Sequence, residues 1–145
     1  MSGSKTIKLV VEYDYDFGLI GLISPLKGHK LAWCINNELR IDLRKEDDLY
    51  IDFLHEGQLV IIHYIYETEY SNFRLIKNKS CEFANIASPY LIPELKEYDY
   101  FIQIKDEGDA YNIPQTIDKL KGINGIEYIK EIETENLKSK DNLIF

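Results

Sequence analysis

Hydrophobic and polar residues alternate along several short segments of the chain, which predicts β-strands. In the segment 6–13, Ile7, Leu9 and Val11 occupy every second position, and this spacing puts them on one face of a strand. The same reasoning predicts further strands at 17–23, 59–67, 70–77, 98–105 and 126–133. Because the segment 59–67 is apolar at both alternating positions, we expect it to be a central strand that is covered on both sides.

Two of the expected strands carry their apolar residues on one side. In the segment 70–77, Phe73 and Leu75 share a face and polar residues occupy the other, which is typical of a half-exposed strand. In the segment 98–105, one face is expected to hold Tyr98, Tyr100, Ile102 and Ile104.

Two segments have the spacing of α-helices. Ser24 and Pro25 predict the start of the first, because a Ser side chain accepts a free backbone N–H as N-cap and Pro suits the first helical position. Its apolar stripe consists of Leu31, Cys34, Ile35 and Leu39. The second helix is expected to begin after Asn112 and to end before Gly122, which occupies the place of a C-terminal capping glycine.

The order of these elements predicts an α+β fold with a mainly antiparallel sheet and two helices. The strand 98–105, the helix 112–121 and the strand 126–133 form a βαβ unit that resembles half of a ferredoxin-like fold. A length of 145 residues fits one domain. We therefore expect a single α+β domain over 1–133, followed by a mobile polar tail over 134–145.

The chain is acidic, with 25 acidic and 17 basic residues and a net charge of −8. We therefore expect it to bind neither nucleic acid nor anionic membranes, since both attract basic surfaces. Its longest apolar run, 59–66, is much shorter than the roughly 20 residues of a membrane-spanning helix. No signal peptide is visible, and two isolated cysteines, Cys34 and Cys81, fit a reducing cytoplasm.

The sequence contains none of the motifs that mark common catalytic or metal sites. It has no nucleophile elbow, phosphate-binding loop, zinc-protease helix or paired-cysteine motif. Of three histidines, His63 lies in the most apolar segment, where we expect a buried residue with satisfied hydrogen bonds. We accordingly predict no catalytic residue, no metal site and no cofactor.

Carboxylates are the one abundant reactive side-chain type. Glu12, Asp14 and Asp16 alternate near a strand end, and with Glu94 or Asp99 they can in principle hold a hard cation such as Mg²⁺ or Ca²⁺. The favoured interpretation is a solvated acidic strand end, because the spacing matches no known calcium loop.

A short motif in the second half of the chain consists of Ile92, Pro93 and Glu94, followed after four intervening residues by Asp99 and Tyr100. This pattern resembles that of the bacterial family named IPExxxVDY, and the resemblance extends over residues 6–110. Tyr98 stands where the family name has Val. The resemblance implies no activity, cofactor or catalytic residue, because none is assigned to that family.

The motif residues also have a physical interpretation of their own. Pro93 fixes its own φ and pushes Ile92 towards an extended conformation. Glu94 is expected to accept hydrogen bonds from the following turn or to pair with a Lys or Arg. Asp99 points away from Tyr100 and must be hydrogen-bonded if it is buried. We favour a structural role for these residues, with partner binding as the alternative.

Two classes of function fit these observations best. The lack of catalytic motifs and the 11 tyrosines, a residue type enriched at interfaces, favour a non-catalytic interaction or adaptor module. Its acidic surface suits a basic protein partner, and the end of the chain, 143–145, is a candidate docking element. The alternative is a homodimeric regulatory domain that senses a small molecule. A third hypothesis is a carboxylate-based metal enzyme.

Overall fold

The computed structural model describes residues 16–53, 57–81, 88–107 and 111–145, so the strand expected at 6–13 lies outside the described residues. The helices are α1 (Gly28–Leu39) and α2 (Ile113–Leu120). The strands are β1 (Gly18–Ile23), β2 (Arg44–Lys45), β3 (Leu49–Phe53), β4 (Gly57–Ile61), β5 (His63–Glu67), β6 (Ser71–Lys77), β7 (Tyr100–Asp106) and β8 (Tyr128–Glu131).

Six strands form an antiparallel sheet in the order β2-β5-β6-β7-β1-β8, and β3 pairs with β4 in a small separate sheet. These sheets and the two helices confirm the predicted α+β class. Both β7 and β8 pair antiparallel with β1, which lies between them. The helix α2 therefore connects two strands of the same direction that are separated by a third. The likeness to half of a ferredoxin-like fold stays a prediction.

The central strands of the large sheet carry apolar side chains on both faces, and each face is covered by a core cluster. In β1, Ile20 and Leu22 join a core cluster with the two helices, whereas Leu19 points to a second cluster on the opposite face. In β7, Ile102 belongs to the first cluster and Phe101 to the second. The small sheet and the C-terminal residues cover the second face.

The predicted strand 59–67 is wrong as a single element, because the chain changes sheets at Ile62. The residues before this point form β4 in the small sheet, and those after it form β5 in the large sheet. Leu59 and Ile61 are fully buried in the second cluster. A run that is apolar at both odd and even positions fits two short strands as well as one strand covered on both sides. Periodicity alone therefore does not reveal that the chain changes sheets at Ile62.

The start of α1 also differs from the prediction. The helix begins at Gly28 after Lys27, which makes no capping hydrogen bond through its side chain. The Ser24 hydroxyl instead donates to the carbonyl of Gly125 at 2.6 Å and accepts from the Leu26 N–H at 3.2 Å. Ser24 thus holds the turn before the helix against the approach to β8.

The predicted start of α2 and its predicted end before Gly122 are confirmed, but Gly122 does not adopt the positive φ of a capping glycine. The Asn112 side chain accepts the Gln115 N–H at 3.0 Å as N-cap. At the other end, Lys121 is right-handed, and among the described glycines after the helix the positive φ belongs to Gly125, not to Gly122. Leu26 packs so closely on Gly125 that an added Cβ would lie 2.8 Å from its side chain.

Tyr98 lies on the opposite face from the one predicted. Its ring packs near Phe101 in the second cluster, with 6.0 Å between ring centroids, while Tyr100 faces the helices. The strand begins only at Tyr100, so its alternation does not extend back to Tyr98. Gly21 of β1 makes room for the ring, because a Cβ there would lie 2.6 Å from it.

The C-terminal residues, which the sequence assigns to a tail, pack on the second face of the sheet. Leu143 is fully buried in the second cluster. The side chain of Gln103 donates to the Leu143 carbonyl at 2.6 Å, and that of Asn142 donates to the Leu91 carbonyl at 2.8 Å. From these contacts we expect the segment to stay on the domain in solution.

Candidate functional site

The five motif residues lie on one connection that leads from a short 3-10 helix, Pro93–Leu95, into β7. Ile92 is fully buried in the second core cluster, and Pro93 occupies the first position of the 3-10 helix, where its missing N–H costs nothing. Glu94 and Asp99 are exposed, and Tyr100 is buried at the start of β7. The motif thus has a buried side and a surface side.

A buried asparagine that the sequence analysis does not single out organises this connection. The Asn78 amide donates to the carbonyls of Leu95 and Tyr98, both at 3.0 Å, and its Oδ1 accepts the Ile92 N–H at 2.9 Å. Asn78 is fully buried, so its side chain satisfies three backbone groups that water cannot reach. An isolated Asn at a strand end gives no sequence signal for such a role.

The sequence suggested that Glu94 binds the following turn or a basic side chain, but among the described residues its carboxylate binds the C-terminal segment instead. Its two carboxylate oxygens accept from the backbone N–H of Ser139 at 2.8 Å and from the Ser139 hydroxyl at 2.9 Å. Partial burial opposes ionisation, but these donors outweigh it, so the pKa of Glu94 lies below its ordinary value. Glu94 therefore fastens the C-terminal segment to the motif.

Asp99 and Tyr100 hold the connection between β1 and α1. The Asp99 carboxylate accepts the Ser24 N–H at 2.8 Å, and the Tyr100 hydroxyl donates to the Leu26 carbonyl at 2.6 Å. Burial, followed by the charge of Asp99, raises the pKa of Tyr100 to about 12. The hydroxyl thus remains a hydrogen-bond donor at physiological pH.

A cavity of about 350 Å³ opens beside Asp99 and Tyr100. It lies where β1 ends, α1 begins and β6 leads into the motif segment. We call it the lysine-lined cavity, because four lysines border it and Asp99 is the one carboxylate among its described lining residues. These lysines are Lys27, Lys77, Lys79 and Lys96.

A second opening of about 620 Å³ lies between β3 and the C-terminal segment. Tyr50 and Phe145 line it, and their side chains are 63% and 43% exposed. The guanidinium of Arg74 lies 4.4 Å from the centre of the Phe145 ring, a cation–π contact that holds the ring in place. We call this opening the aromatic groove, and its other lining residues are Leu49, Ile51, Asp52, Arg74, Asp141, Asn142 and Ile144.

His63 is buried and hydrogen-bonded, as the sequence predicts. Its Nε2 lies 2.8 Å from the Asp47 carbonyl oxygen, and its Nδ1 lies 2.9 Å from Nη1 of Arg74. Because a carbonyl only accepts and a guanidinium only donates, the neutral ring with its proton on Nε2 satisfies both contacts. Burial lowers the pKa of His63 and the charge of Arg74 lowers it further, against the opposing effect of the Asp47 carbonyl.

The candidate carboxylates that the structure describes, Asp16, Glu94 and Asp99, do not form a group that could hold a metal ion. Glu94 binds Ser139, whereas Asp99 binds Ser24. Glu12 and Asp14 lie outside the described residues. Within the described ranges, no group of three or more His, Cys, Asp or Glu residues is placed to hold a metal ion.

Comparisons with known proteins give no family name. No known protein family matches the chain, and no curated protein matches it either. The likeness to the IPExxxVDY family therefore stays a prediction that depends on the motif residues. In the part of the chain that the structure describes, no helix is long and apolar enough to cross a membrane.

Proposed function

We propose that this protein is a non-catalytic interaction module that binds another protein through the aromatic groove. The observation that supports this most directly is the exposure of Tyr50 and Phe145 at one opening. Large aromatic side chains dominate the binding energy of many protein interfaces, because they bury much apolar area at a small entropic cost.

The groove combines apolar lining residues with a contact that restrains one of its two aromatic rings, that of Phe145. Leu49 and Ile51 pack against the second core cluster, and this contact holds β3 against the domain. Phe145 is held by Arg74, and Leu143 anchors the segment that carries it. A prearranged surface loses little conformational entropy on binding, which favours its use as an interface.

We infer that the partner presents an apolar side chain flanked by basic residues. Asp52 and Asp141 line the groove, and the chain carries a net charge of −8. Arg74 is the one basic residue in the described lining and its guanidinium lies against the Phe145 ring, so two carboxylates face one cation in the groove. Opposite charge on the partner would speed association and make binding weaken as salt is added.

A crosslinking pull-down at native expression level, followed by mass spectrometry, tests this proposal. Tyr50→Ser is the test variant and Tyr70→Ser the control, because Tyr70 is 60% exposed outside the groove. We expect wild type and Tyr70→Ser to capture the same stoichiometric partner, and Tyr50→Ser to lose it. The proposal fails if no partner is captured or if Tyr50→Ser retains it.

We also propose that the chain belongs to the IPExxxVDY family and works in the cytoplasm. The five matching motif positions support the family, and two cysteines that lie far apart in sequence, Cys34 and Cys81, fit a reducing compartment. Cell fractionation with an antibody to the native protein checks the location. Recovery from an oxidising compartment would contradict it.

The second candidate function is a homodimeric regulatory domain that senses a small molecule. The lysine-lined cavity favours it, because a cavity of about 350 Å³ is of a size that binds small molecules. Light scattering during gel filtration separates a 17.0 kDa monomer from a dimer of twice that mass. A strict monomer at all concentrations would exclude the homodimer.

A further inference from the structure

Positive charge is concentrated at the lysine-lined cavity of an otherwise acidic chain. The whole chain has 25 acidic and 17 basic residues, but four basic residues and one acidic residue line this cavity. The lysines come from three segments of the fold: before α1, at and just beyond the end of β6, and after the 3-10 helix. Like charges that lie close together repel, so a bound anion would be stabilised there.

Three of the four lysines at the cavity have no oppositely charged partner among the described residues. These are Lys27, Lys77 and Lys96, which form no ion pair with any described residue. The one lining carboxylate, Asp99, already accepts the Ser24 N–H. The ammonium groups of these three lysines are therefore available to a bound molecule.

The backbone beside the lysines adds further donors of hydrogen bonds. The helix α1 begins at the cavity with no capping side chain and no acidic residue in its first turn. In the described structure, the N–H groups of Lys27 and Gly28 have no acceptor. Helix N-termini favour negative charge, so the backbone contribution has the same sign as that of the lysines.

From the cavity and its lysines, we infer that this protein binds a small molecule carrying a phosphate or diphosphate group. Separate ammonium groups suit a multiply charged anion, because each contributes one point charge. Tyr90, Tyr98 and Pro25 also line the cavity and offer apolar surface to the remainder of the molecule. This ligand site does not depend on the interaction function, and it specifies the ligand class for the cavity that favours the second candidate function.

Calorimetric titration with inorganic diphosphate tests the inference, in about 0.15 M salt so that diffuse attraction is screened. The test variant is Lys77→Gln/Lys96→Gln. The matched control is Lys119→Gln/Lys130→Gln, which removes the same charge from exposed positions outside the cavity. We expect the test variant to bind diphosphate at least tenfold more weakly than wild type and the control to bind within twofold.

The inference is overturned if wild type does not bind diphosphate at millimolar concentration, or if both double variants weaken binding equally. Should the test variant fail to fold, Lys27→Gln at an exposed position replaces it, with the same expectation of weaker binding. Vesicles containing phosphatidylglycerol provide a second arm. We expect no recruitment, and recruitment that the lysine substitutions abolish would assign the site to a lipid headgroup instead of a free phosphate compound.

Discussion

Asn78 is the residue on which the geometry of the motif segment depends most. Replacing it with Ala leaves the carbonyls of Leu95 and Tyr98 and the N–H of Ile92 without their partner. Each unsatisfied buried group costs about 1–3 kcal/mol, so we expect Asn78→Ala to lower the free energy of unfolding by at least about 3 kcal/mol.

Urea denaturation measures this loss, and Asn72→Ala serves as the control. Asn72 donates only to the exposed Glu67 carboxylate, so its replacement should cost less than about 0.5 kcal/mol. Equal effects of the two substitutions would mean that the buried amide does not organise the motif segment.

His63 makes the stability of the protein depend on pH. Because its pKa is lower in the folded state than the ordinary 6.5, the unfolded chain takes up the proton first as the pH falls. The contribution of the neutral His63 ring to the free energy of unfolding is therefore fully present above about pH 6.5. It is lost as the pH falls through the folded-state pKa. Protonation would also place an N–H of the ring against the Arg74 donor.

We expect the free energy of unfolding of wild type to fall between pH 7.5 and pH 5.5, and His63→Gln to show a smaller fall. Chemical denaturation at the two pH values measures this difference. His29→Gln, at an exposed position, should behave as wild type. An equal loss in His63→Gln and wild type would assign the acid sensitivity to other groups.

The local signals in the sequence predict elements well, and the distant contacts explain where they fail. Asn112 caps α2 as predicted, because the cap bonds a residue three positions away. Ser24 carries the same signal, but its hydroxyl bonds Gly125, 101 positions away, so α1 begins later. The partner of Glu94 is likewise distant in sequence, since Ser139 lies 45 positions further on.

The same distinction between local signals and distant contacts applies to the candidate site. A motif resemblance was sufficient to single out Glu94 and Asp99, but their partners became apparent only from the fold. Neither opening was predicted, because the lysine-lined cavity and the aromatic groove each join segments far apart in the chain. Sequence periodicity describes one element at a time and contains no information about which ends of elements meet.

The C-terminal segment contributes to the stability of the domain through a buried leucine. Leu143 is fully buried, and truncating a buried Leu to Ala typically costs about 2–5 kcal/mol. We expect Leu143→Ala to lower the free energy of unfolding by that amount in urea denaturation. Leu137→Ala, at a half-buried position, should cost less.

Deletion of residues 134–145 goes further, because it also removes Phe145 from the aromatic groove. We expect the deleted chain to be less stable and to capture no partner in the pull-down. If stability and partner capture both stay unchanged, the segment is a free tail with no part in the interface.

At the scale of the whole molecule, the aromatic groove and the lysine-lined cavity differ in charge. The net charge of −8 suits a basic protein partner at the aromatic groove, whereas the lysine-lined cavity concentrates the opposite charge. We expect added salt, from about 0.05 to 0.3 M, to weaken partner capture, because salt screens exposed charges. The pull-down at both concentrations measures this, and salt-independent capture would indicate a purely apolar interface.

The most direct test of the central claim, that the aromatic groove binds the partner, is a measurement of affinity. The purified partner is titrated against wild type, Tyr50→Ser and Tyr70→Ser. Loss of an interface aromatic typically costs more than about 1.4 kcal/mol, so we expect Tyr50→Ser to raise Kd at least tenfold. Tyr70→Ser should leave Kd within twofold of wild type. Equal Kd values for all three proteins would contradict the assignment of the aromatic groove as the binding surface.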